Sequence, residues 1–185
     1  EIGPDAKIGY GAKIGSGANI GYGAEIGPDA KIGYGAKIGS GAEIGPDAKI
    51  GYGAKIGSGA NIGYGAEIGS GANIGYGAEI GPDAKIGYGA KIGSGANIGY
   101  GAEIEKGDWF MSIGPLGSEG RYTTIVHKSG VGLRFGTGCF RNKTAAEFRA
   151  AIAETHGDNE HAKAYLWMLE AIERHPDVLA REAVT

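Results

Sequence analysis

The amino-acid sequence predicts an all-β solenoid followed by a small α+β segment, and three observations predict it. Isoleucine stands at position 2 and at every sixth position thereafter to Ile104, eighteen times without a miss. Glycine supplies 39 of the 185 residues, against ~7 % in ordinary globular chains. Its spacing alternates two and four, which excludes the every-third-residue rule of collagen. The vocabulary then changes after Asp108: every Arg, His, Leu, Val, Thr, Phe, Trp and Met, and the single Cys, lie beyond it. The change predicts two domains, residues 1–108 and residues 109–185.

The first domain is built from a six-residue unit. Seventeen hexads over residues 1–102 begin with Glu, Lys or Asn, continue Ile-Gly, then Tyr, Ser or Pro, then Gly or Asp, and end in Ala. The eighteenth, residues 103–108, keeps its isoleucine and loses its alanine, as a terminal repeat does. Ala6, Lys7 and Ile8 alternate small-apolar, charged and large-apolar, which is strand periodicity with Ala6 and Ile8 inward and Lys7 outward. The next three residues turn the chain. Position five is Gly, or Asp whenever position four is Pro, and both tolerate positive φ, so it is read as a left-handed corner. Three sides of six residues close a coil of 18, and six coils at ~4.8 Å per strand stand about 29 Å tall. Burying one isoleucine side chain is worth ~1.5–3 kcal/mol, so the Ile column carries most of the stability. Such regularity is read as an idealised, consensus-engineered array.

Residues 18 apart form outward columns. One runs Glu1, Asn19, Lys37, Lys55, Asn73, Lys91; the next runs Lys7, Glu25, Glu43, Asn61, Glu79, Asn97. The third runs Lys13, Lys31, Lys49, Glu67, Lys85, Glu103. Two faces are mainly positive and one mainly negative, which suits either solubility or side-by-side packing of copies. Glu25, Glu43 and Glu79 read as a solvated charged face and not as an acid pair or cation site, because exposed carboxylates lack a cause for a pKa shift. The eight tyrosines of the array spread over all three corner columns, so they are read as corner packing residues and not as a stacking platform for nucleic acid or carbohydrate. No Thr precedes Thr123, which argues against a threonine ice-binding ladder.

The repeat resembles the hexapeptide motif of left-handed parallel β-helix proteins, a class that includes hexapeptide acyltransferases and γ-class carbonic anhydrases. The resemblance covers residues 1–108. It implies a left-handed parallel β-helix of about six 18-residue coils with a small α+β C-terminal cap; the hand is implied by the resemblance alone, since ordinary crossovers are right-handed. In the acyltransferases a solenoid histidine typically acts as general base and the acyl-donor site lies between subunits of a trimer. In the carbonic anhydrases, histidines of neighbouring subunits hold the metal. Residues 1–108 contain no histidine and no long excursion between hexads. No catalytic, cofactor-binding or metal-ligating residue is therefore carried over, and no cofactor is expected.

Residues 109–185 read as the cap. Strands are expected over 109–114, 121–127 and 131–135, separated by turn clusters. Thr144 and Glu147 form a capping box that starts a helix with Phe148 and Ile152 on its buried face and Gly157 at its end. A second helix spans about 159–174, with Tyr165, Leu166, Leu169 and Ile172 on one side, ended by Pro176; residues 177–183 are expected as a last helical turn. Trp109, Phe110, Phe135 and Phe140 are expected to cover the last coil and block end-to-end growth. The tail that includes His156 and His161 is similar to C-terminal segments of uncharacterised bacterial or phage hexapeptide-repeat proteins. Those two histidines, with Asp158 and Glu160 between them, read as a linker whose Asp158 or Asn159 caps the second helix, since no fourth metal ligand follows by spacing. His127 and His175 are read as isolated surface or cap residues, and Cys139 as a small buried residue rather than a nucleophile.

The net charge is −3, from 18 basic and 21 acidic residues, which gives no nucleic-acid footprint or polybasic membrane contact. One cysteine excludes an internal disulfide framework. No membrane span or leader is read, so a soluble chain of open compartment is expected. The partner expected is another copy, met through the uncapped N-terminal coil or the complementary charged faces. The sequence thus predicts a non-enzymatic structural scaffold, with no catalytic, cofactor or metal residues. The alternatives are an acyltransferase-like hexapeptide-repeat protein without a catalytic histidine on its solenoid, and a binding module using the tyrosine corners.

Overall fold

A computed structural model describes residues 1–116, 121–128, 132–137 and 140–174. The chain divides into two compact units, Glu1–Gly107 and Asp108–Thr185.

The first unit is a parallel stacked-coil β-solenoid of about five turns. Its two-residue strands run from β1 (Lys7–Ile8) to β17 (Glu103–Ile104), one every six residues. Every third strand falls on the same wall, giving parallel sheets of six, six and five strands. Wall one carries the column that starts at Asn19, wall two the column that starts at Lys7, and wall three the column that starts at Lys13. Register is set by 18 residues everywhere, so isoleucine meets isoleucine: Ile8 pairs Ile26, and Ile32 pairs Ile50. A single bridge, Ile2 to Ile20, opens wall one.

Three backbone bonds per hexad fasten each coil to the next. Glu25 N–H donates to Ala42 O at 2.9 Å, Gly27 N–H to Ile44 O at 2.7 Å, and the corner Asp47 N–H back to Pro28 O at 3.0 Å. The short strands therefore leave no row of buried unpaired amides. Inside, isoleucine and alanine alternate as a dry stack, with Ile26 only 2 % exposed. On the first coil Ile2 and Ile8 are 57 % and 39 % exposed.

Two kinds of glycine hold this geometry. At position five the backbone is left-handed: Asp47 has φ 56° and Gly53 φ 61°, and the Asp-for-Gly exchange after proline follows from that shared conformation. At position three the requirement is space. A Cβ on Gly57 would lie 2.5 Å from the carbonyl carbon of Gly75 in the coil above.

The tyrosines differ from expectation. Seven of the eight in the array stand outward and exposed at the corners, up to 92 % at Tyr10, and pack into no interior; Tyr100 is half-buried. The corner backbone, already held by its own hydrogen bonds and by glycine, has no interior space for a ring.

The second unit has a four-stranded antiparallel sheet in chain order: β18 (Trp109–Leu116), β19 (Arg121–Lys128), β20 (Gly132–Thr137) and β21 (Phe140–Lys143). The last strand was not expected; its sequence, FRNK, has no alternation, and its pairing with β20 makes it a strand. Two helices follow, α1 (Ala145–His156) and α2 (Glu160–Glu173). The Thr144 hydroxyl accepts from the Glu147 N–H at 3.2 Å and the Glu147 carboxylate accepts from the Thr144 N–H at 2.8 Å, completing the capping box. Asn159 caps α2, accepting from the Ala162 N–H at 3.0 Å, and Gly157 closes α1.

The core of this unit joins Ile125, Leu133 and Phe135 of the sheet to Phe148, Ile152, Tyr165, Leu169 and Ile172 of the helices. Phe135 stacks on Phe148 at 5.3 Å, and Tyr165 meets Phe148 edge-on at 5.9 Å. Phe135 thus belongs to the unit's own core. The side chains of Trp109 and Phe140, and all of Cys139, His175, Pro176 and residues 177–183, lie outside the described residues. No helix among the described residues is long and apolar enough to cross a membrane.

Candidate functional site

Wall three offers the most developed surface of the solenoid. Lys13, Lys31 and Lys49 stand on successive rungs, in register. Above them the Lys49 ammonium donates to the Glu67 carboxylate at 2.7 Å, and Lys85 lies 3.9 Å from Glu103. The hydrogen bond from Lys49 holds the Glu67 carboxyl below the usual carboxylate range and, reciprocally, raises the Lys49 ammonium. Glu67 is therefore a fixed anion and a poor proton acceptor near neutral pH.

Between the lysine column and the corner lies a shallow trough of ≈ 680 Å³. Its floor is the glycine column, Gly33, Gly51 and Gly69 among them, which recedes because no Cβ fits there. At its rim Tyr34 stacks on Tyr52 of the next coil, centroids 5.6 Å apart and planes within 8°. The two tyrosines were legible as neighbours in one corner column; their stacking was not. Together the wall presents ammonium groups beside an aromatic face, which suits a ligand carrying phosphate and a planar ring.

Wall two is the anionic one. Lys7 donates to Glu25 at 2.6 Å, Asn61 to Glu43 at 3.2 Å and Asn97 to Glu79 at 2.7 Å, all along the column. These carboxylates are held by neighbours one rung away and do not converge on one another.

The histidines lie in the second unit. His127, on β19, is buried at 6 % exposure at the end of a continuous buried run from Thr123, so of its two readings, surface or cap residue, the surface one is corrected. His156, at the end of α1, and His161, in the first turn of α2, have ring centroids 6.0 Å apart, and His156 stacks on Tyr165 at 5.7 Å. The tight turn between the helices brings this pair together. Among the described residues no three His, Cys, Asp or Glu side chains converge as a metal-ligand set.

Residues 23–58 match the family described as bacterial transferase hexapeptide (six repeats). The first unit, a parallel β-solenoid of six-residue repeats, is thus similar to the left-handed β-helix, hexapeptide-repeat proteins. No curated protein matches the chain. Among solved structures, this hexapeptide-repeat chain is similar to perosamine N-acetyltransferase (PerB) from Caulobacter crescentus, in complex with CoA and GDP-perosamine, at 23 % identity and a TM-score of 0.55, over 65 % of this chain and 56 % of that one. It is similar to UDP-N-acetylglucosamine acyltransferase from Francisella novicida at 26 % identity and a TM-score of 0.55, over 57 % and 46 %. A third likeness is to WeeI from Acinetobacter baumannii AYE, at 25 % and 0.53, over 64 % and 55 %. The chain spans about half the length of the solved structures it matches.

These likenesses correct two expectations, that the hexapeptide-repeat chain is a non-enzymatic scaffold and that it is not an enzyme. The solved structures that share its coil include acyltransferases, one of them at 26 % identity. The absence of histidine from the walls spoke only for the walls; the second unit holds imidazoles of its own. Nor do the likenesses support reading the array as engineered.

Proposed function

We propose that the chain is an acyltransferase-like hexapeptide-repeat protein whose solenoid lacks a catalytic histidine. The observation that carries this reading is the likeness of its coils to UDP-N-acetylglucosamine acyltransferase at 26 % identity. The donor would be an acyl thioester of a phosphorylated carrier such as CoA, and the acceptor an amine or hydroxyl of a nucleotide-linked sugar. The acceptor heteroatom attacks the thioester carbonyl, the C–S bond breaks, the thiolate leaves, and the acceptor's proton passes to a base.

The lysines of wall three supply fixed positive charge for phosphates, and the Tyr34–Tyr52 stack supplies a flat apolar surface beside it. An imidazole is the side chain suited to taking that proton near neutral pH.

The test is thiol release. The chain is incubated with acetyl-CoA, and separately with longer acyl-CoA, in the presence and absence of amino- and hydroxy-sugar nucleotides. Release of free CoA that depends on an acceptor is the expected result, reduced at least tenfold in a Lys13→Ala/Lys31→Ala double variant that keeps its fold. Release no faster with any acceptor than without one overturns the reading.

A further inference from the structure

We propose that the corner between walls three and one binds a planar aromatic ring carrying a phosphate, the ring seated over Ser70 between Tyr52 and Tyr88, the phosphate held by Lys55 and Lys91. The site is separate from the lysines of wall three, and it stands whether or not the chain transfers an acyl group.

The corner residues that follow wall three run Ser16, Tyr34, Tyr52, Ser70 and Tyr88 along the axis, one per coil. Tyr34 lies flat against one face of Tyr52, at 5.6 Å and 8°, so the other face of Tyr52 turns toward the coil of Ser70. Tyr88 stands one coil beyond, and Tyr52 and Tyr88 are 64 % and 71 % exposed. Serine thus leaves one rung of an aromatic ladder empty. The coils of the two tyrosines are two rungs apart, ~9.6 Å at ~4.8 Å per rung. A flat guest midway lies about 4.8 Å from each, inside the ~4.5–7 Å range of paired rings. The room is that of a tyrosine ring, because Tyr52 fills the equivalent place one coil earlier.

No other corner of the array repeats this arrangement. After wall one, two serines, Ser40 and Ser58, separate Tyr22 from Tyr76, a gap too wide for one ring to touch both sides. After wall two the places between tyrosines are filled by proline, with Pro82 between Tyr64 and Tyr100.

Charge decides what the ring carries and on which side. On the wall-three flank Lys49 is committed to Glu67 at 2.7 Å, and Lys85 lies 3.9 Å from Glu103. On the wall-one flank Asn73 is the register neighbour of Lys55 on one side and of Lys91 on the other. Both lysines are exposed, and neither has an ion-pair partner among the described residues. Two ammonium arms therefore bracket the notch from one side, with an amide between them and no carboxylate. A phosphate reached by both gains charge-assisted hydrogen bonds that a neutral ring lacks.

Titration calorimetry with phenyl phosphate and with uridine 5′-monophosphate tests the proposal. Neither probe can donate an acyl group, so the outcome is independent of transfer. The two share a ring and a phosphate, and the tighter one shows whether an aryl or a nucleotide phosphate is the better occupant. Saturable binding of one equivalent is expected, with phenol and inorganic phosphate each at least tenfold weaker. Ser70→Tyr, which completes the ladder, is expected to weaken binding at least tenfold, as is Lys55→Ala/Lys91→Ala; Ser58→Tyr, on another corner, is expected to leave it unchanged. Tyrosine is native at this corner on three coils, and far-UV circular dichroism checks that the coil is retained. Tyr52→Ala removes the ring contact by a second route and is expected to weaken binding as well. No saturable binding of either probe up to about 10 mM overturns the proposal. So does binding left unchanged by both Ser70→Tyr and Tyr52→Ala, or binding that phenol or inorganic phosphate matches.

Discussion

The two units of this chain reach stability by opposite routes. In the solenoid every interior contact repeats: isoleucine on isoleucine, 18 residues apart, on each of three walls. In the C-terminal unit each core residue has its own partners, with Phe148 touching Phe135 on one side and Tyr165 on another. A repeated contact divides the folding free energy into nearest-neighbour terms, whereas a mixed core concentrates it in a few large side chains. Damage to the first should spread coil by coil, and damage to the second should be confined and cooperative.

The largest expected effect is that of Ile50→Asp. A carboxylate would sit in a dry stack without a hydrogen-bond partner, and the loss is expected to exceed about 4 kcal/mol. Hydrogen exchange should show protection lost in the coils around residue 50 first. Uniform loss of protection along the whole array would break the nearest-neighbour picture.

Phe148→Ala follows, at about 3–5 kcal/mol, because it empties the junction of sheet and helices. Urea denaturation followed through tyrosine and tryptophan fluorescence should report it, with amide protection in residues 20–80 unchanged. A smaller change, about 1–3 kcal/mol, is expected for Gly57→Ala, whose new Cβ would press on the backbone of the coil above. Gly53→Ala offers a comparison in which backbone strain acts with no contact within 4 Å.

Thr144→Ala should cost about 1 kcal/mol through loss of the α1 cap. The same cap has a pH signature. Hydrogen bonds from the Thr144 backbone and hydroxyl hold the Glu147 carboxyl below its usual range. Its contribution is complete above the ordinary glutamate range and is lost as pH falls through the lower folded value. The stability difference between wild type and Glu147→Gln should therefore shrink on acidification, as read by helix ellipticity. Smallest of all, Lys55→Ala should change stability by no more than about 0.5 kcal/mol, since its side chain is exposed and unpaired.

Much of this was legible in the sequence. The Ile and Ala columns gave the inward faces, and the exchange of Gly for Asp after Pro gave the left-handed corner now seen at Asp47. Thr144 with Glu147, and Asn159, marked the helix starts because capping is a local interaction. What was not legible is tertiary. The glycine at position three looks like part of a turn; only the distance from Gly57 to the coil above shows that it is a spacer. Seven tyrosines of the array face water and His127 is buried, and neither placement follows from the residue type. The candidate site suffered most: His156 and His161 read as a linker, and their closeness depends on how tightly two helices turn.

The constant 18-residue register makes the array a device for indexing. Inserting or deleting 18 residues would lengthen or shorten the column by one rung, about 4.8 Å, and leave every downstream side chain on its original wall. Inserting six would move each downstream column to the next wall, exchanging the acidic surface for the basic one without disturbing a single interior contact. Surface charge and interior order are thus separately programmable in this chain by the length of an insertion alone.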